Sequence, residues 1–415
     1  MNKQNGYVLD TTYPVFFYKE MQPLWLKTIV SFLGFQTPDI TEEFSYLELG
    51  CATGVNLIVA AINNPHGNFV GIDFNQQHIE KAKQLANSIG AKNIKFIHTD
   101  FARFLVENKC KFDFIVNHGT FSWVSPEVQK NILDIVAHFL NNTGLFYLHY
   151  MCYPASASLH SVQKLLSLVD HHTDNSSLKS IELGKKLFDE LNRADAFIDN
   201  SRIDAIVRTL NQDHSYLVHE FLTDYWQPLY SVDVHQMVFQ ATQSNYIGSA
   251  NSIENLESLS IPAKLKTIVE NINAPALKEY VKDLARNAKQ RMDVFQYQPH
   301  ILNNAEHSEI INQIEFKLLP DAPKNSDVTF RTPIGDINAP QEVISPMFES
   351  LVKKDMRFDE LLDLSAFKDQ PMFLIETIFL AMNAGYLHPT LTHIDQNQVR
   401  KFNEMMQKEG IKIRM

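Results

Sequence analysis

Between residues 44 and 151, short apolar runs alternate with segments that have the apolar spacing of amphipathic helices. Strands that are apolar along their length and alternate with helices are typical of a parallel sheet covered on both faces. The sequence therefore predicts an α/β fold in this region. The apolar runs are residues 46–50, 68–73, 93–100, 112–119 and 144–151, and the clearest helical segments are 75–89 and 126–140.

The regions around this pattern differ in character. Residues 14–33 are rich in aromatic side chains and are expected to form one or two helices. After the sheet, a polar segment with helical spacing predicts a helical insertion, and apolar runs at 216–222 and 246–251 restore the αβ pattern. Beyond a turn-rich stretch at 318–327, a short strand and three helical patterns predict a small α+β module, winged-helix-like in its order of elements. The expected boundaries are 1–155 for the core, 156–213 for the helical insertion, 214–303 for the remainder of the core and 304–415 for the C-terminal module.

The charge balance and the cysteines narrow the function classes. With 48 acidic and 37 basic residues, the net charge is −11, which argues against a general nucleic-acid or anionic-membrane binder. Cys51, Cys110 and Cys152 form neither a disulfide framework nor a metal-ligand spacing. The first residues lack a secretory pattern, and no apolar stretch reaches the roughly 18 residues of a membrane span. We expect a cytoplasmic protein without nucleic-acid, membrane or metal partners.

The sharpest motif is residues 47–54, where an apolar strand leads through a glycine-containing loop into a helix. Gly50 and Gly54 allow a tight turn and close approach of a ligand, and free N–H groups at the helix start favour an anionic end of that ligand. The GxxxG spacing lacks the third glycine of the dinucleotide fingerprint. Glu48 would repel a pyrophosphate but suits a ligand that carries an ammonium or sulfonium group. A purely structural strand-to-helix turn is the alternative.

Three more groups follow the ends of predicted strands. Asp73 ends the second apolar run, where a carboxylate suits both hydroxyls of a ribose; a helix-capping role before Asn75 is the alternative. Asp100, with Phe101 beside it, suits the amino group and ring of an adenine. Residues 117–119, Asn-His-Gly, end the fourth run. Because the carboxyl ends of parallel strands share one edge of a sheet, we expect these groups to form one site.

As a set, these residues resemble the class I S-adenosylmethionine-dependent methyltransferases. The acidic-x-Gly-x-x-x-Gly motif of that family matches Glu48, Gly50 and Gly54, its ribose acid matches Asp73, and its adenine-side acid matches Asp100. The resemblance covers roughly residues 40–150 and implies a Rossmann-like core with a mostly parallel seven-stranded sheet and S-adenosylmethionine as cofactor. The implied cofactor-binding residues are Glu48, Gly50, Cys51, Ala52, Gly54, Asn56, Asp73, Phe74, Asp100, Phe101, Asn117 and His118.

A narrower resemblance extends over about residues 7–300. The segments 47–57, 117–124, 149–154, 216–222 and 283–298 are similar to methyltransferases with an attached methyltransferase regulatory domain. That group includes bacterial enzymes that methylate lysines of outer-membrane proteins, so the resemblance implies a regulatory region within residues 214–303 and a protein lysine as acceptor. One departure follows the fifth strand, where the family usually has Asn and then Pro-Gly, whereas residues 150–155 read Tyr-Met-Cys-Tyr-Pro-Ala.

The acceptor side of the site is less determined. Methyl transfer from a sulfonium is an in-line displacement that depends on alignment, and a lysine acceptor must first lose its proton. Burial beside aromatic rings assists that loss and also holds the amine; for each ring, ordinary packing is the alternative. The candidate rings are Tyr13, Tyr18, Phe121, Trp123 and Tyr153.

His118, Tyr13 and Tyr153 are the candidate catalytic residues. For His118, a general base and a hydrogen-bonded structural residue are both open. The buried pair His219-Glu220 is expected to fix the insertion against the sheet, and lining the substrate site is the alternative. Besides a protein lysine methyltransferase, a small-molecule O- or N-methyltransferase and a non-catalytic cofactor-binding scaffold remain open, as does a homodimer formed through the insertion.

Overall fold

The computed structural model describes residues 3–4, 6–173, 176–197, 202–323, 328–391 and 394–415. Its centre is a seven-stranded sheet whose spatial order is β3-β2-β1-β4-β5-β7-β6. Only β7 runs opposite to the other strands, pairing antiparallel with both β5 and β6. The predicted Rossmann-like, mostly parallel sheet is therefore confirmed. The strands are β1 (Phe44–Leu49), β2 (Gly67–Asp73), β3 (Ile94–His98), β4 (Phe112–Asn117), β5 (Leu140–Met151), β6 (Ser244–Ser249) and β7 (Gln290–Tyr297).

Helices cover both faces of this sheet. Neighbouring residues in a strand point to opposite faces, so Tyr46 belongs to the buried cluster under α2 and α3, whereas Leu47 belongs to the cluster under α5. The chain order reverses at β1, which has β2 on one side and β4 on the other. Open α/β sheets bind ligands at this switch point, outside the carboxyl ends of the strands. The first helices are α1 (Pro23–Phe32), α2 (Val55–Asn63), α3 (Gln76–Ile89), α4 (Phe101–Glu107) and α5 (Pro126–Phe139).

In its described residues, the insertion is built from helices joined by turns. The helices are α6 (His160–His172), α7 (Ser177–Arg193) and α8 (Ile203–Leu210), and α9 (His214–Phe221) follows directly. The expected strand at 216–222 is wrong, because these residues form α9. Asp213 caps α9 by accepting hydrogen bonds from the N–H groups of Ser215 and Tyr216. The apolar side of α9 packs into the buried cluster formed by the insertion helices.

The chain then returns to the sheet through α10 (Ser231–Thr242), α11 (Glu257–Ser260), α12 (Ala263–Glu270) and α13 (Pro275–Arg286). At the start of β7 the guanidinium of Arg291 is buried among three carboxylates. Its Nε lies 2.9 Å from Asp293, and the other nitrogens bind Asp283 and Glu279. Tyr150 and His235 also bond to Asp293, at 2.6 and 2.8 Å. This ionic cluster joins the antiparallel end of the sheet to α10 and α13.

The C-terminal module contains small sheets, as expected. Glu315–Leu318 pairs antiparallel with Met356–Arg357 and with Leu387–Pro389, and Val328–Thr332 forms a hairpin with Gly335–Ala339. Its helices are α14 (Asn304–Asn312), α15 (Gln341–Lys353), α16 (Phe358–Leu362) and α17 (Pro371–Asn383), and the last helix, α18 (Gln396–Lys408), follows.

Two helices connect this module with the sheet. Trp25 and Ile29 of α1 are buried in the core of the C-terminal module. In the other direction, Phe402 and Met406 of α18 pack against the sheet domain, in the same buried cluster as Ile79 of α3. Within the described part of the chain, no helix combines the length and apolarity that crossing a bilayer requires. The expected cytoplasmic location and homodimer stay predictions.

Candidate functional site

A cavity of about 480 Å³ opens at the carboxyl ends of β1 to β4. It lies at the switch point of the sheet, and its walls come from the β1–α2 loop, the ends of β2, β3 and β4, and the N-terminal residues. Most of the side chains singled out in the sequence line it together. They are Tyr13, Tyr18, Glu48, Gly50, Cys51, Ala52, Gly54, Asn56, Asp73, Phe74, Asp100, Phe101, His118 and Trp123.

The β1–α2 loop has the backbone geometry that its glycines predict. Gly50 and Gly54 have φ values of +79° and +72°, a region that favours glycine. A Cβ on Gly54 would also lie 2.5 Å from the ring of Phe96, so this position is needed for packing as well as for the turn. No side chain caps the start of α2, and Val55 and Asn56 line the cavity, so the first N–H groups of this helix suit a carboxylate.

Asp73 lies beside this loop and organises the adjoining wall of the cavity. One carboxylate oxygen accepts from Ala52 N at 2.9 Å and the other from Asn75 N at 2.8 Å. His78 Nδ1 lies 3.7 Å from the same carboxylate. Asp73 therefore braces the loop and the start of α3 while lining the cavity. Asn75, and not Asp73, is the N-cap of α3.

Glu48 is the buried acid beneath the loop. It is 4% exposed, and its Oε2 has no hydrogen-bond partner in the described structure. Burial raises its pKa well above the usual range, and the nearby charge of Asp73 adds to that shift. An unpartnered carboxylate in such a place suits a cationic group on the ligand. This carboxyl group therefore suits the positively charged ammonium and sulfonium groups of S-adenosylmethionine.

Residues 13–18, which we call the N-terminal segment, form the roof of the cavity. The expected helix over residues 14–33 starts later: residues 13–18 have no regular secondary structure, Lys19–Met21 form a short 3₁₀ helix, and α1 begins at Pro23. Asn56 holds the segment, since its Oδ1 accepts from Tyr18 N at 2.8 Å and its Nδ2 donates to Phe16 O at 3.0 Å. The Asn56 amide, expected to bind cofactor, is engaged with the roof.

His118 lies at the inner end of this roof. The Tyr18 ring stacks on it with centroids 3.8 Å apart, and its Nδ1 is 2.8 Å from the Tyr147 hydroxyl. Burial lowers the pKa of His118 well below its usual range, and neighbouring His149 adds to the effect. His149 accepts from Gly119 N, and burial lowers its pKa to about 4. The lowered pKa makes His118 a weak proton acceptor, and its contact with Tyr147 is a hydrogen-bonded role; a general base stays the alternative prediction.

Three predicted residues lie outside the cavity lining. Asn117 is fully buried and donates to Leu49 O at 2.9 Å, which joins β4 to β1. Phe121 is fully buried in the core between the sheet and α5. Tyr153 bonds to His160 through its hydroxyl at 2.7 Å, and its ring packs on Tyr230.

Other lining residues carry no sequence signal of a ligand site. Tyr7 packs its ring edge against Phe74 with centroids 5.7 Å apart. The buried Nε2 of His78 has no partner in the described structure. Thr99 and Tyr225 complete the wall. Tyr7 and Tyr225 reach the site only through tertiary folding, since neither follows a strand of the sheet.

Two protein families match this chain. The family described as "Methyltransferase domain" matches residues 40–208, and the "Predicted methyltransferase regulatory domain" matches residues 213–296. The first match includes the β1–α2 loop and the strand ends that line the cavity, whereas the lining residues between 7 and 21 and Tyr225 lie outside it. The chain is an S-adenosylmethionine-dependent methyltransferase. This methyltransferase thus carries the regulatory domain over α9, α10 and the last strands of its sheet.

Relatives of this methyltransferase differ in coverage. An uncharacterized protein of Synechocystis is 26% identical over 97% of this chain and 80% of its own length. Malonyl-[acyl-carrier protein] O-methyltransferase 2 of Ilyobacter polytropus is 31% identical over 27% of this chain and 41% of its own length. The solved structure of PKMT2 from Rickettsia typhi in complex with AdoHcy superposes with a TM-score of 0.70 at 22% identity, over 92% of this chain and 77% of PKMT2. At that identity the structural match shows the shared fold.

Proposed function

We propose that this methyltransferase methylates the side-chain amine of lysine in a protein acceptor. The observation that carries the proposal is the aromatic character of the cavity beneath the N-terminal segment, where Tyr13, Tyr18 and Trp123 line the wall beside neutral His118. Aromatic faces attract an ammonium group, and a buried setting lowers the pKa of an amine towards the pH of the cell. The family resemblance supports the same acceptor.

Different parts of the cavity serve the cofactor and the acceptor. When bound, S-adenosylmethionine supplies an electrophilic methyl group on a sulfonium. Glu48 is placed to balance positive charge, Asp73 to accept from ribose hydroxyls, and Asp100 and Phe101 to hold the adenine. The aromatic wall excludes water and positions the acceptor nitrogen. Proximity and orientation alone supply several kcal/mol towards such a displacement.

Transfer of label from methyl-labelled S-adenosylmethionine into a bacterial cell lysate tests the acceptor class. The protein fraction is separated from small molecules and hydrolysed, and the labelled amino acids are identified. We expect label in methyllysine, with none above background when excess AdoHcy is added. Label confined to small molecules would support the alternative of a small-molecule O- or N-methyltransferase. The match to the Ilyobacter enzyme, which is named an O-methyltransferase, is the reason to test for this outcome. Cofactor binding without transfer to any fraction would support the scaffold alternative.

A further inference from the structure

The imidazole of His118 is held on three sides. The Tyr18 ring stacks on it with centroids 3.8 Å apart, and the His149 ring stacks on it at 4.1 Å. Two rings at such distances cannot share one face of an imidazole without colliding, so they cover opposite faces. The Tyr147 hydroxyl occupies the Nδ1 edge at 2.8 Å. Because His118 lines the cavity, the remaining edge, which carries Nε2, is the part of the ring that a ligand can reach.

The hydrogen bond between Tyr147 and His118 has a definite direction. Tyr147 is fully buried in β5, and within the described residues its hydroxyl bonds only to Nδ1 of His118. A buried hydroxyl that merely accepted would leave its own proton without a partner, which is costly. The hydroxyl therefore donates to Nδ1, and the proton of the neutral imidazole lies on Nε2. Burial raises the pKa of Tyr147 and lowers the pKa of His118, which keeps both groups in these forms.

His149 repeats this arrangement in the next ring of the stack. Its Nδ1 lies 3.1 Å from the backbone N–H of Gly119, a group that can only donate. The proton of neutral His149 is therefore on Nε2, which lies 3.4 Å from Oε1 of Gln290. Both imidazoles thus accept at Nδ1 from a fixed donor. Whereas Nε2 of His149 has Gln290 beside it, Nε2 of His118 has no hydrogen bond within the described residues.

The cavity offers no cation to an anionic part of a ligand. Its described lining residues include no lysine or arginine, although four acids are present: Glu48, Asp73, Asp100 and Glu127. A ligand oxygen with negative charge, such as the carboxylate of S-adenosylmethionine, is therefore held by N–H and O–H donors. The first N–H groups of α2 supply some of these donors. The Nε2–H of His118 is a further donor, and the rings around it fix its direction before a ligand binds.

We propose that Tyr147 is a positioning residue that fixes His118 as a hydrogen-bond donor, and that the Nε2–H of His118 binds an oxygen of the ligand. In this tautomer Nε2 has no free lone pair, so it cannot take a proton from an ammonium group. Two groups can supply the oxygen: the carboxylate of the cofactor, and a carbonyl or carboxylate of the acceptor. The proposal goes beyond the proposed lysine acceptor, since it holds whichever atom is methylated.

Nitrogen-15 NMR of the histidine-labelled protein at pH 7.5 tests the tautomer directly. Long-range proton–nitrogen correlations distinguish protonated from unprotonated ring nitrogens, and the signals of His118 are those that His118→Gln removes. We expect Nε2 to be protonated and Nδ1 unprotonated. Tyr147→Phe should release Nδ1, so that both tautomers appear. Tyr150→Phe is the matched control, because Tyr150 is also fully buried in β5 and its hydroxyl bonds to Asp293 at 2.6 Å; the tautomer should remain.

Two substitutions of His118 test what the donor binds. The amide nitrogen of glutamine can replace Nε2, whereas that of asparagine can replace only Nδ1. We expect His118→Gln to bind AdoHcy within about threefold of the wild type in calorimetry. His118→Asn should bind it about tenfold to a hundredfold more weakly, the scale of a hydrogen bond to a charged group. An AdoHcy analogue with hydrogen in place of the carboxylate should then bind both variants equally.

A different pattern identifies the acceptor as the source of the oxygen. In that case both variants keep the wild-type affinity for AdoHcy. Transfer of methyl label into a limiting amount of bacterial cell lysate should instead fall about tenfold to a hundredfold in His118→Asn, and His118→Gln should restore it.

Three results would overturn the proposal. An unprotonated Nε2 on His118 in the wild type would make this nitrogen a proton acceptor, as in a general base. Equal effects of the two His118 substitutions on binding and on transfer would show that ring packing alone explains the residue. An unchanged tautomer in Tyr147→Phe would remove the positioning role of Tyr147. None of these results bears on the lysine acceptor, which the labelled amino acid decides. Should a variant not fold, the tautomer of the wild-type protein still decides the donor role.

Discussion

Tyr18 stacks on His118 with ring centroids 3.8 Å apart. The contact joins the roof of the cavity to the end of β4, two parts of the chain separated by a hundred residues. Immediately after Tyr18, Lys19 Nζ donates to the carbonyls of Met382 and Asn383 at 2.6 and 3.2 Å. The roof is therefore attached to the cofactor side through His118 and to the C-terminal module through Lys19.

Lys19→Met should loosen the roof. The ammonium is largely buried and binds the last carbonyls of α17, where a cation is favoured by the helix dipole. Losing charged hydrogen bonds should lower the free energy of unfolding by about 2 kcal/mol and weaken AdoHcy binding. Lys27→Met, which breaks a surface ion pair with Asp39, is the control and should change stability by less than about 1 kcal/mol. Equal effects in the two variants, seen in urea unfolding, would contradict this prediction.

Asp73→Asn should weaken binding of AdoHcy by about tenfold to a hundredfold, because charge-assisted hydrogen bonds become neutral ones. Isothermal calorimetry measures the change. Asp134→Asn, which removes an acid paired with Lys130 on the surface, should bind AdoHcy as the wild type does. An unchanged affinity in Asp73→Asn would contradict the assignment of this carboxylate to the ribose.

Glu48→Gln should affect stability and affinity in opposite directions. The pKa of Glu48 is raised in the folded state, so the folded protein binds this proton more tightly than the unfolded chain does. The free energy of unfolding therefore falls as the pH rises above the pKa that Glu48 has in the unfolded chain. The amide removes this effect, so the Tm of the ligand-free protein should rise at pH 7.5. Affinity for S-adenosylmethionine should fall, because its cationic groups lose a carboxylate. Thermal unfolding and calorimetry measure the two effects, and a lowered Tm with unchanged affinity would contradict both.

Gly54→Ala and Gly90→Ala form a matched pair. Both glycines have positive φ, at +72° and +83°, but only the new Cβ at Gly54 would meet a ring at 2.5 Å, whereas nothing lies within 4 Å at Gly90. We expect Gly90→Ala to cost about 1 kcal/mol and Gly54→Ala to cost about 3 kcal/mol, with loss of AdoHcy binding in the latter alone. Equal costs in denaturant unfolding would show that packing against Phe96 is unimportant.

Arg291→Met should destabilise the protein by about 3–5 kcal/mol, since it leaves buried carboxylates without their cation. Lys278→Met, which removes a partner of Glu257 at the surface, should cost less than about 1 kcal/mol.

The same ionic cluster should make stability depend on pH. Although burial raises the pKa of Asp293, the nearby Arg291, His235 and Tyr150 lower it to about 2 overall. A depressed pKa stabilises the folded state above the unfolded value, so this contribution should be lost as the pH falls from about 4 to 2. Urea unfolding at pH 7 and at pH 4 to 2 measures both effects. Equal free energies of unfolding for the wild type and Arg291→Met at pH 7 would contradict the prediction.

Much of the cofactor side could be predicted from local pattern. Gly50, Gly54, Asp73 and Asp100 lie at or soon after the end of a strand, and parallel strands bring their carboxyl ends to one edge. Asn117 shows the limit of the same argument, because the side chain at the strand end points into the sheet and bonds to Leu49 O. Which side of a strand end faces the ligand depends on twist and register.

The sequence by itself determined the sheet, the glycine loop and the acids that suit S-adenosylmethionine, because these depend on short-range spacing and on the geometry shared by all parallel α/β sheets. Only the tertiary structure decided what closes the site. It placed the N-terminal segment over His118, left Tyr153 outside the cavity lining, and bonded the indole of Trp123 to the backbone carbonyl of Glu220 in α9. Those contacts join residues about a hundred positions apart, and no periodicity in the sequence specifies which of many apolar and aromatic surfaces will meet.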